Sequence, residues 1–235
     1  MKESEAELLQ SGKAGFKIQV PYQLLETGKK EAEKPLIVYL HGFGKNIKSF
    51  KTECIPMLGL SAYHLFIQGP YPLYDRKGQK KVEDWGRAWY MYDGEQEQFR
   101  VSLDHASRFI RQIIQRTTGA ISSNRTCIIG FSMGGYLAGY HAIHNPEQVN
   151  ELIMYGARFK SELLIGDYRK ISHQNILALH GIDDNMVEPA PQRKEMEVLR
   201  SNGVDATFVE IEETHTFSNT GIERIIDWLS HRGYN

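Results

Sequence analysis

The chain has 235 residues and a formal net charge of −1 at pH 7, with 41% hydrophobic and 24% charged residues. This ordinary composition predicts a globular protein, and the length suits one domain spanning residues 1–235. The near-zero charge gives no basis for binding nucleic acid or an anionic membrane surface. The two cysteines, Cys54 and Cys127, are too few for a disulfide framework.

The start of the chain and its hydropathy bear on where the protein works. The first residues, MKESEAELLQ, are acidic and lack the apolar core of a secretory signal. No apolar stretch approaches the length of a membrane span. We therefore expect a cytoplasmic protein, the alternative being that a signal peptide has been removed upstream.

Seven short runs rich in β-branched and aromatic residues predict strands, and helical patterns separate most of them. Several runs are apolar throughout, as strands covered on both faces are. The alternation predicts an α/β protein with a mostly parallel central sheet and helices on both faces. The predicted strands are residues 15–20, 35–40, 64–69, 126–131, 151–156, 175–181 and 206–212.

Helices are predicted where apolar residues recur at steps of three and four. The clearest case runs from Phe99 to Ile113, and Gly119 suits the end of that helix. The predicted helices are residues 97–119, 133–144, 193–203 and 222–233.

The connection at residues 69–95 does not fit this alternation. It is long and rich in aromatic residues, prolines and glycines. Connections of this length are usually functional or disordered, and the aromatic residues argue against disorder. We expect the segment to cover part of an active site, with Trp89 and Tyr90 in contact with a substrate.

Ser132 lies in the pattern G-x-S-x-G, from Gly130 to Gly134, between a predicted strand and a predicted helix. Such a strand-to-helix turn is sharp, and neighbouring side chains would collide, which explains the glycines. It presents the hydroxyl at the carboxyl edge of the sheet, near a helix N-terminus that favours negative charge. The pattern predicts a nucleophile, and the alternative is a serine that only caps the helix.

A nucleophilic serine needs a base, usually a histidine that a carboxylate orients. In this architecture the chain order is serine, acid, histidine. His215 lies between the last predicted strand and the last predicted helix, whereas His173 and His180 have no strand-end acid before them. Asp183 and Asp184 both follow the strand at 175–181, so position alone does not choose between them; the other one is expected to form the turn.

The reaction also needs donors for the oxyanion. We expect the backbone N–H of Met133, directly after the nucleophile, and that of Phe43, in the glycine-containing loop after the strand at 35–40. His41 in that loop is interpreted as fixing the loop. Arg158 follows the strand at 151–156 and is a candidate contact for an anionic substrate, although a surface role is commoner for arginine.

Five motifs in order resemble the α/β-hydrolase superfamily: LHGFG, GRAWY, GFSMGG, HGIDDNMV and the late His215. Within it the chain is similar to the phospholipase/carboxylesterase family, which includes acyl-protein thioesterases and small bacterial carboxylesterases. The resemblance implies hydrolysis of esters or thioesters through an acyl-enzyme, without a metal or organic cofactor. The family pattern H-G-x-x-D-x-x-V implies Asp184 as the acid. The chain departs from the family at Asn185, usually proline, and at Thr214, usually glycine.

Three alternatives stand beside this interpretation. MYGARF and VEPAPQR also resemble dienelactone hydrolases, although those use a cysteine nucleophile. Serine peptidases share the fold but usually carry an extra domain. Non-catalytic binding proteins of this fold usually lack part of the catalytic set. The expected partner is a small ester or acylated substrate, and a homodimer is compatible with the sequence.

Overall fold

The computed structural model describes residues 8–12, 14–15, 17–30 and 33–234. In chain order the strands are β1 (Tyr22–Glu26), β2 (Lys34–Leu40), β3 (Tyr63–Ile67), β4 (Tyr71–Pro72), β5 (Arg87–Ala88), β6 (Ser123–Phe131), β7 (Glu151–Tyr155), β8 (Asn175–Gly181) and β9 (Asp205–Ile211). The α-helices are α1 (Ile47–Glu53), α2 (Gln96–Thr118), α3 (Met133–His144), α4 (Pro189–Ser201) and α5 (Asn219–Ser230).

Seven strands form one sheet in the order β1-β3-β2-β6-β7-β8-β9. β1 is antiparallel to β3, and the other neighbouring pairs are parallel. From β2 the chain continues outward to β3, whereas β6 begins the other half of the sheet. The loops after β2 and β6 therefore diverge, and such a switch point opens a crevice at the carboxyl edge. β1 and β9 are the two edge strands.

The core lies on both faces of the sheet because successive strand residues point to opposite sides. In β2, Leu36, Val38 and Leu40 pack with residues of α2, α3 and α4, and Ile37 and Tyr39 pack with residues of α1 and α5. The predicted α/β fold, with a mostly parallel sheet between helices, is confirmed. Within the described part of the chain, no helix has both the length and the apolar character that a membrane crossing needs.

Six of the seven predicted strands are present, and the one at residues 15–20 is wrong for the residues described there. The first strand, β1, begins at Tyr22 and is largely exposed at the sheet edge, so it shows no apolar pattern. Ile18 and Val20, which suggested a strand, instead line a cavity of about 380 Å³ beside Trp89.

The helices differ from the prediction at the starts of α4 and α5 and by one additional helix; α5 begins at Asn219 rather than at residue 222. α4 begins at Pro189 rather than at residue 193, because the first turn of a helix does not need the N–H that proline lacks. α1 is an additional helix whose start follows Asn46, which forms a reciprocal cap with Ser49.

Several histidines lie inside the protein as neutral rings. Burial lowers the pKa of His41, His64 and His141 to about 4. Unfolded chains protonate histidine near about pH 6.5, so between about pH 6.5 and 4 the unfolded state binds more protons than the folded state. We therefore expect the free energy of unfolding to fall as the pH drops through this range, by up to about 3 kcal/mol per ring.

Urea unfolding at about pH 7.5, 6 and 5 measures this dependence. His141→Gln should make it shallower, since one buried ring is removed, whereas the exposed His105→Gln serves as the control and should leave it unchanged. A free energy of unfolding that stays constant between about pH 7 and 5 would show that these rings are not held neutral.

Candidate active site

Ser132 lies on a tight turn between β6 and α3. Its φ of 52° and ψ of −119° are unusual for a residue with a side chain. Its backbone N–H donates to the carbonyl of Tyr155 at 2.8 Å, which ties the turn to the end of β7. Within the described residues the Ser132 hydroxyl caps no N–H of α3, so the helix-cap alternative does not account for this serine.

The glycines on either side of Ser132 are required by close backbone contacts. A Cβ on Gly130 would lie 2.2 Å from the carbonyl oxygen of Gly134. A Cβ on Gly134 would lie 2.1 Å from the carbonyl oxygen of Leu40, at the end of β2. Both distances are far below van der Waals contact. The turn can therefore be this sharp, and α3 this close to the sheet, only without side chains there.

His215, in the loop after β9, joins Ser132 to Asp184. Its Nε2 lies 2.8 Å from the Ser132 Oγ, and its Nδ1 lies 2.7 Å from the Asp184 Oδ2. Since a carboxylate only accepts, Nδ1 carries the hydrogen and Nε2 is free to accept the proton of the serine hydroxyl. The imidazole is tilted against the Phe131 ring, with 5.1 Å between centroids. The arrangement can activate a serine hydroxyl.

The Asp184 carboxylate is buried and held by several donors. Its Oδ1 accepts from the backbone N–H groups of Met186 and Val187, both at 2.9 Å, and its Oδ2 accepts from His215. Burial acts to raise the pKa of Asp184, but the hydrogen bonds from His215, Val187 and Met186 outweigh it and hold this pKa below its usual value. The side chain is thus kept as a carboxylate, which can stabilise an imidazolium.

The turn after β8 is not formed as expected from the sequence. Asp183 is exposed, and its backbone N–H donates to the carbonyl of Glu213 at 3.1 Å. Instead, the Asp184 carboxylate accepts hydrogen bonds from the backbone N–H groups of Met186 and Val187, two and three residues later in the chain. Asp183 does lie in a turn, which the N–H of Asp184 closes onto the carbonyl of Gly181 at 3.3 Å, but the side chain that bonds the backbone there is that of Asp184, not that of Asp183 as expected. The Asp184 carboxylate both stabilises the turn and bonds the imidazole, because Oδ1 faces the backbone N–H groups of the turn and Oδ2 faces His215.

The two expected oxyanion donors follow adjacent strands. Leu40 of β2 pairs with Gly130 of β6, so the loops carrying Phe43 and Met133 begin side by side. Met133 is the first residue of α3, and its N–H therefore has no acceptor within the helix. Next to Phe43, the N–H of Gly44 donates to the carbonyl of Arg87 at 3.0 Å and fixes the loop.

His41 and Trp89 lie beneath this loop. The buried His41 donates from Nδ1 to the Gly42 carbonyl at 2.8 Å and accepts at Nε2 from the N–H of Gly69 at 3.0 Å. The Trp89 Nε1–H donates to the His41 carbonyl at 2.7 Å. These bonds join the loops after β2 and β3, which agrees with the interpretation of His41 as a residue that fixes the loop.

Trp89 and Tyr90 do not take the place in the cleft that was expected of them. Their exposed fractions are 0% and 6%, and both rings belong to the core between the sheet and α2. A buried indole N–H needs an acceptor, and that of Trp89 donates to the His41 carbonyl, so the ring lies inside the protein rather than at its surface. Trp89 supports the loop that carries Phe43.

If the loop that carries Phe43 binds the oxyanion as expected, Trp89→Phe should lower kcat by roughly tenfold with little change in KM, because it removes one hydrogen bond beneath that loop and keeps an aromatic ring. Steady-state kinetics on a p-nitrophenyl ester measures this. Trp85→Phe is the matched control, since Trp85 donates to the carbonyl of Lys80 at the tip of the same segment. Full kcat in Trp89→Phe would show that this hydrogen bond does not matter.

Arg158 is paired rather than open to an anionic substrate. Its guanidinium contacts Glu195 at 3.0 Å and also Glu162. It lines a cavity of about 920 Å³ whose lining includes none of Ser132, Asp184 and His215. Two carboxylates already neutralise this charge, so the structure does not support Arg158 as an anion contact.

His180, which the sequence argument set aside, approaches the same carboxylate from the end of β8. Its Nε2 lies 3.3 Å from the Asp184 Oδ2 and 2.8 Å from the Val187 carbonyl oxygen. The only signal in the sequence was its place in the pair His180-Gly181 before the acid.

Comparison with known proteins identifies the fold and the family of the chain. Among solved structures, the fold is shared with an esterase named PE8 (TM-score 0.72, 18% identity, covering 91% of this chain and 99% of that chain). It is also shared with acyl-protein thioesterase 2 of Zea mays (TM-score 0.68, 17% identity, covering 90% of this chain and 98% of that chain). A third example is a Bacillus cereus carboxylesterase (TM-score 0.69, 13% identity, covering 90% of this chain and 94% of that chain). The sequence model described as Phospholipase/Carboxylesterase matches residues 25–232. Since this match spans most of the chain, the protein belongs to the phospholipase/carboxylesterase family of hydrolases.

Proposed function

We propose that the protein is a serine hydrolase that cleaves carboxylic esters or thioesters through an acyl-enzyme. The observation that carries the proposal is the continuous hydrogen-bonded chain from the Ser132 hydroxyl through His215 to Asp184, at 2.8 and 2.7 Å. Membership of the phospholipase/carboxylesterase family supports the reaction class.

In the first half of the reaction, the Ser132 Oγ attacks the acyl carbon while His215 Nε2 takes the hydroxyl proton. Asp184 holds the hydrogen on Nδ1 and stabilises the imidazolium that forms. The N–H groups of Phe43 and Met133 bind the oxyanion of the tetrahedral intermediate. His215 then gives its proton to the leaving alcohol or thiol, which departs and leaves the acyl group on Ser132.

In the second half, His215 takes a proton from a water molecule that attacks the acyl-enzyme. The tetrahedral intermediate uses the same two N–H groups, and collapse returns the proton to the Ser132 oxygen and releases the carboxylic acid. These residues complete both halves themselves, so the proposal includes no metal or organic cofactor.

In this proposal the residues 69–95 cover part of the site within one domain spanning residues 1–235. The support is a pair of backbone bonds beside the oxyanion loop, from Gly44 N–H to the Arg87 carbonyl at 3.0 Å and from Arg87 N–H to the Lys45 carbonyl at 2.9 Å. A dienelactone hydrolase is disfavoured because the residue on the sharp turn is Ser132, whereas the nearest cysteine in sequence, Cys127, is buried within β6.

Labelling with a fluorophosphonate probe tests the proposal, since such probes modify activated serines. Peptide mass mapping should place the label on Ser132 in the folded protein and find none after denaturation. A panel of oxyesters and thioesters with varied acyl length then identifies the preferred substrate class. A folded protein that neither takes the label nor hydrolyses any member of the panel would support a non-catalytic binding protein instead.

A further inference from the structure

A second imidazole lies against the carboxylate that orients His215. His180 is the penultimate residue of β8 and is completely buried. Its Nε2 is 3.3 Å from the Asp184 Oδ2, the same oxygen that accepts from His215 Nδ1. The mechanism derived above makes no use of this ring.

The surroundings of His180 determine its tautomer. Nε2 faces two acceptors, the Val187 carbonyl oxygen at 2.8 Å and the Asp184 carboxylate, so it must carry the hydrogen. The N–H is directed at Val187, and Asp184 Oδ2 is its second neighbour. On the other side of the ring, Nδ1 is buried and has no hydrogen-bond partner among the described residues. Burial also lowers the pKa of His180, in keeping with a neutral ring.

Three contacts close a ring around the turn after β8. His180 Nε2–H donates to the carbonyl of Val187, and the N–H of Val187 donates to Asp184 Oδ1. The other carboxylate oxygen, Asp184 Oδ2, contacts His180 Nε2 and closes the ring. A buried nitrogen without a partner is unfavourable, so Nδ1 does not explain an imidazole at this place. The contacts of Nε2 do explain it.

We propose that His180 is a positioning residue that holds the Asp184 carboxylate in the orientation that His215 needs. It does so by closing the turn through Val187 and by placing the positive edge of an N–H against Oδ2. The inference rests on the proposed roles of Ser132, His215 and Asp184. Since His180 is buried and does not touch the substrate, its loss should lower kcat and leave KM unchanged.

A matched pair of amides tests which nitrogen matters. In His180→Gln the side-chain amide nitrogen can occupy the place of Nε2, whereas in His180→Asn it falls near the place of Nδ1. We expect kcat in the glutamine variant to stay within a few-fold of the natural protein and kcat in the asparagine variant to fall by roughly 10–100-fold. Equal kcat values in the two variants would overturn the proposal.

A double-mutant cycle tests whether His180 acts through Asp184. His180→Leu keeps the volume without a donor and should lower kcat by roughly 10–100-fold in the natural background. In the Asp184→Ala background it should add little, because the carboxylate to be positioned is absent. An equal fractional loss in both backgrounds would overturn the proposal, as would an unchanged kcat in His180→Leu.

The same variants separate this inference from the proposed function. If Asp184→Ala alone does not lower kcat, the proposed catalytic set is wrong. If Asp184→Ala lowers kcat and the variants of His180 do not, only the positioning role is wrong. Urea unfolding of each variant confirms folding, and the amide pair decides the question if the leucine variant does not fold.

Discussion

Ser132→Ala should lower kcat for ester hydrolysis by roughly 10⁴–10⁶ and leave the fold intact. The loss is this large because no other group replaces the nucleophile, and the oxyanion donors alone give weak catalysis. The fold should persist because alanine carries the same Cβ as serine, so the unusual φ of 52° is no harder to adopt. Burst and steady-state kinetics with a p-nitrophenyl ester measure the loss, and urea unfolding measures the stability.

Ser218→Ala is a suitable control for Ser132→Ala. Ser218 caps α5 through the N–H of Gly221, so its loss should lower stability by about 1 kcal/mol without a comparable loss of kcat. A well-folded Ser132→Ala protein with undiminished turnover would remove Ser132 from the mechanism.

Asp184→Asn should lower kcat by about 10⁴ with only a small loss of stability. The asparagine oxygen can still accept from the N–H groups of Met186 and Val187, so the turn persists. Its amide NH₂ then faces His215 Nδ1, which must become an acceptor, and the hydrogen moves to Nε2. In that tautomer the imidazole cannot accept the proton of Ser132.

Asp183→Asn is the control with the same chemical change one residue earlier. The Asp183 side chain is exposed, and the residue is held by a hydrogen bond from its backbone N–H to the carbonyl of Glu213. Since Asp183→Asn keeps this bond, kcat should stay within a few-fold of the natural value. Parallel kinetics and urea unfolding of the two variants decide the assignment. The reverse result, with Asp183→Asn inactive and Asp184→Asn active, would move the acid by one residue.

The elements that the sequence predicted best are those whose signal is local. The central strands are apolar throughout because both faces are covered, and β8 was predicted with its observed bounds, Asn175–Gly181. β1 was missed because an exposed edge strand needs no apolar pattern. Its neighbours Ile18 and Val20 are apolar for a different reason, since they line the cavity beside Trp89.

In the candidate site, too, the residues with a local sequence signal were predicted and those that depend on tertiary packing were not. Ser132 and His215 could be located from spacing and chain order, because the turn and the last loop fix where those side chains emerge. The choice between Asp183 and Asp184 depends on the direction of two adjacent side chains, which strand position does not determine. The burial of Trp89 and the contact of His180 with Asp184 depend on how separate loops close over the sheet, and no local pattern carries that information.

His215 follows an edge strand of the sheet, whereas Ser132 follows a central one. The loop of His215 follows β9, an edge strand that is hydrogen-bonded on one side only, to β8. Ser132 follows β6, which has a strand on each side. Edge strands can open with less free energy than the whole fold requires, so His215 can separate from Ser132 while the central sheet stays paired. We therefore expect activity to be lost at a lower denaturant concentration than global unfolding requires, and the amide hydrogens of β9 to exchange faster than those of β6.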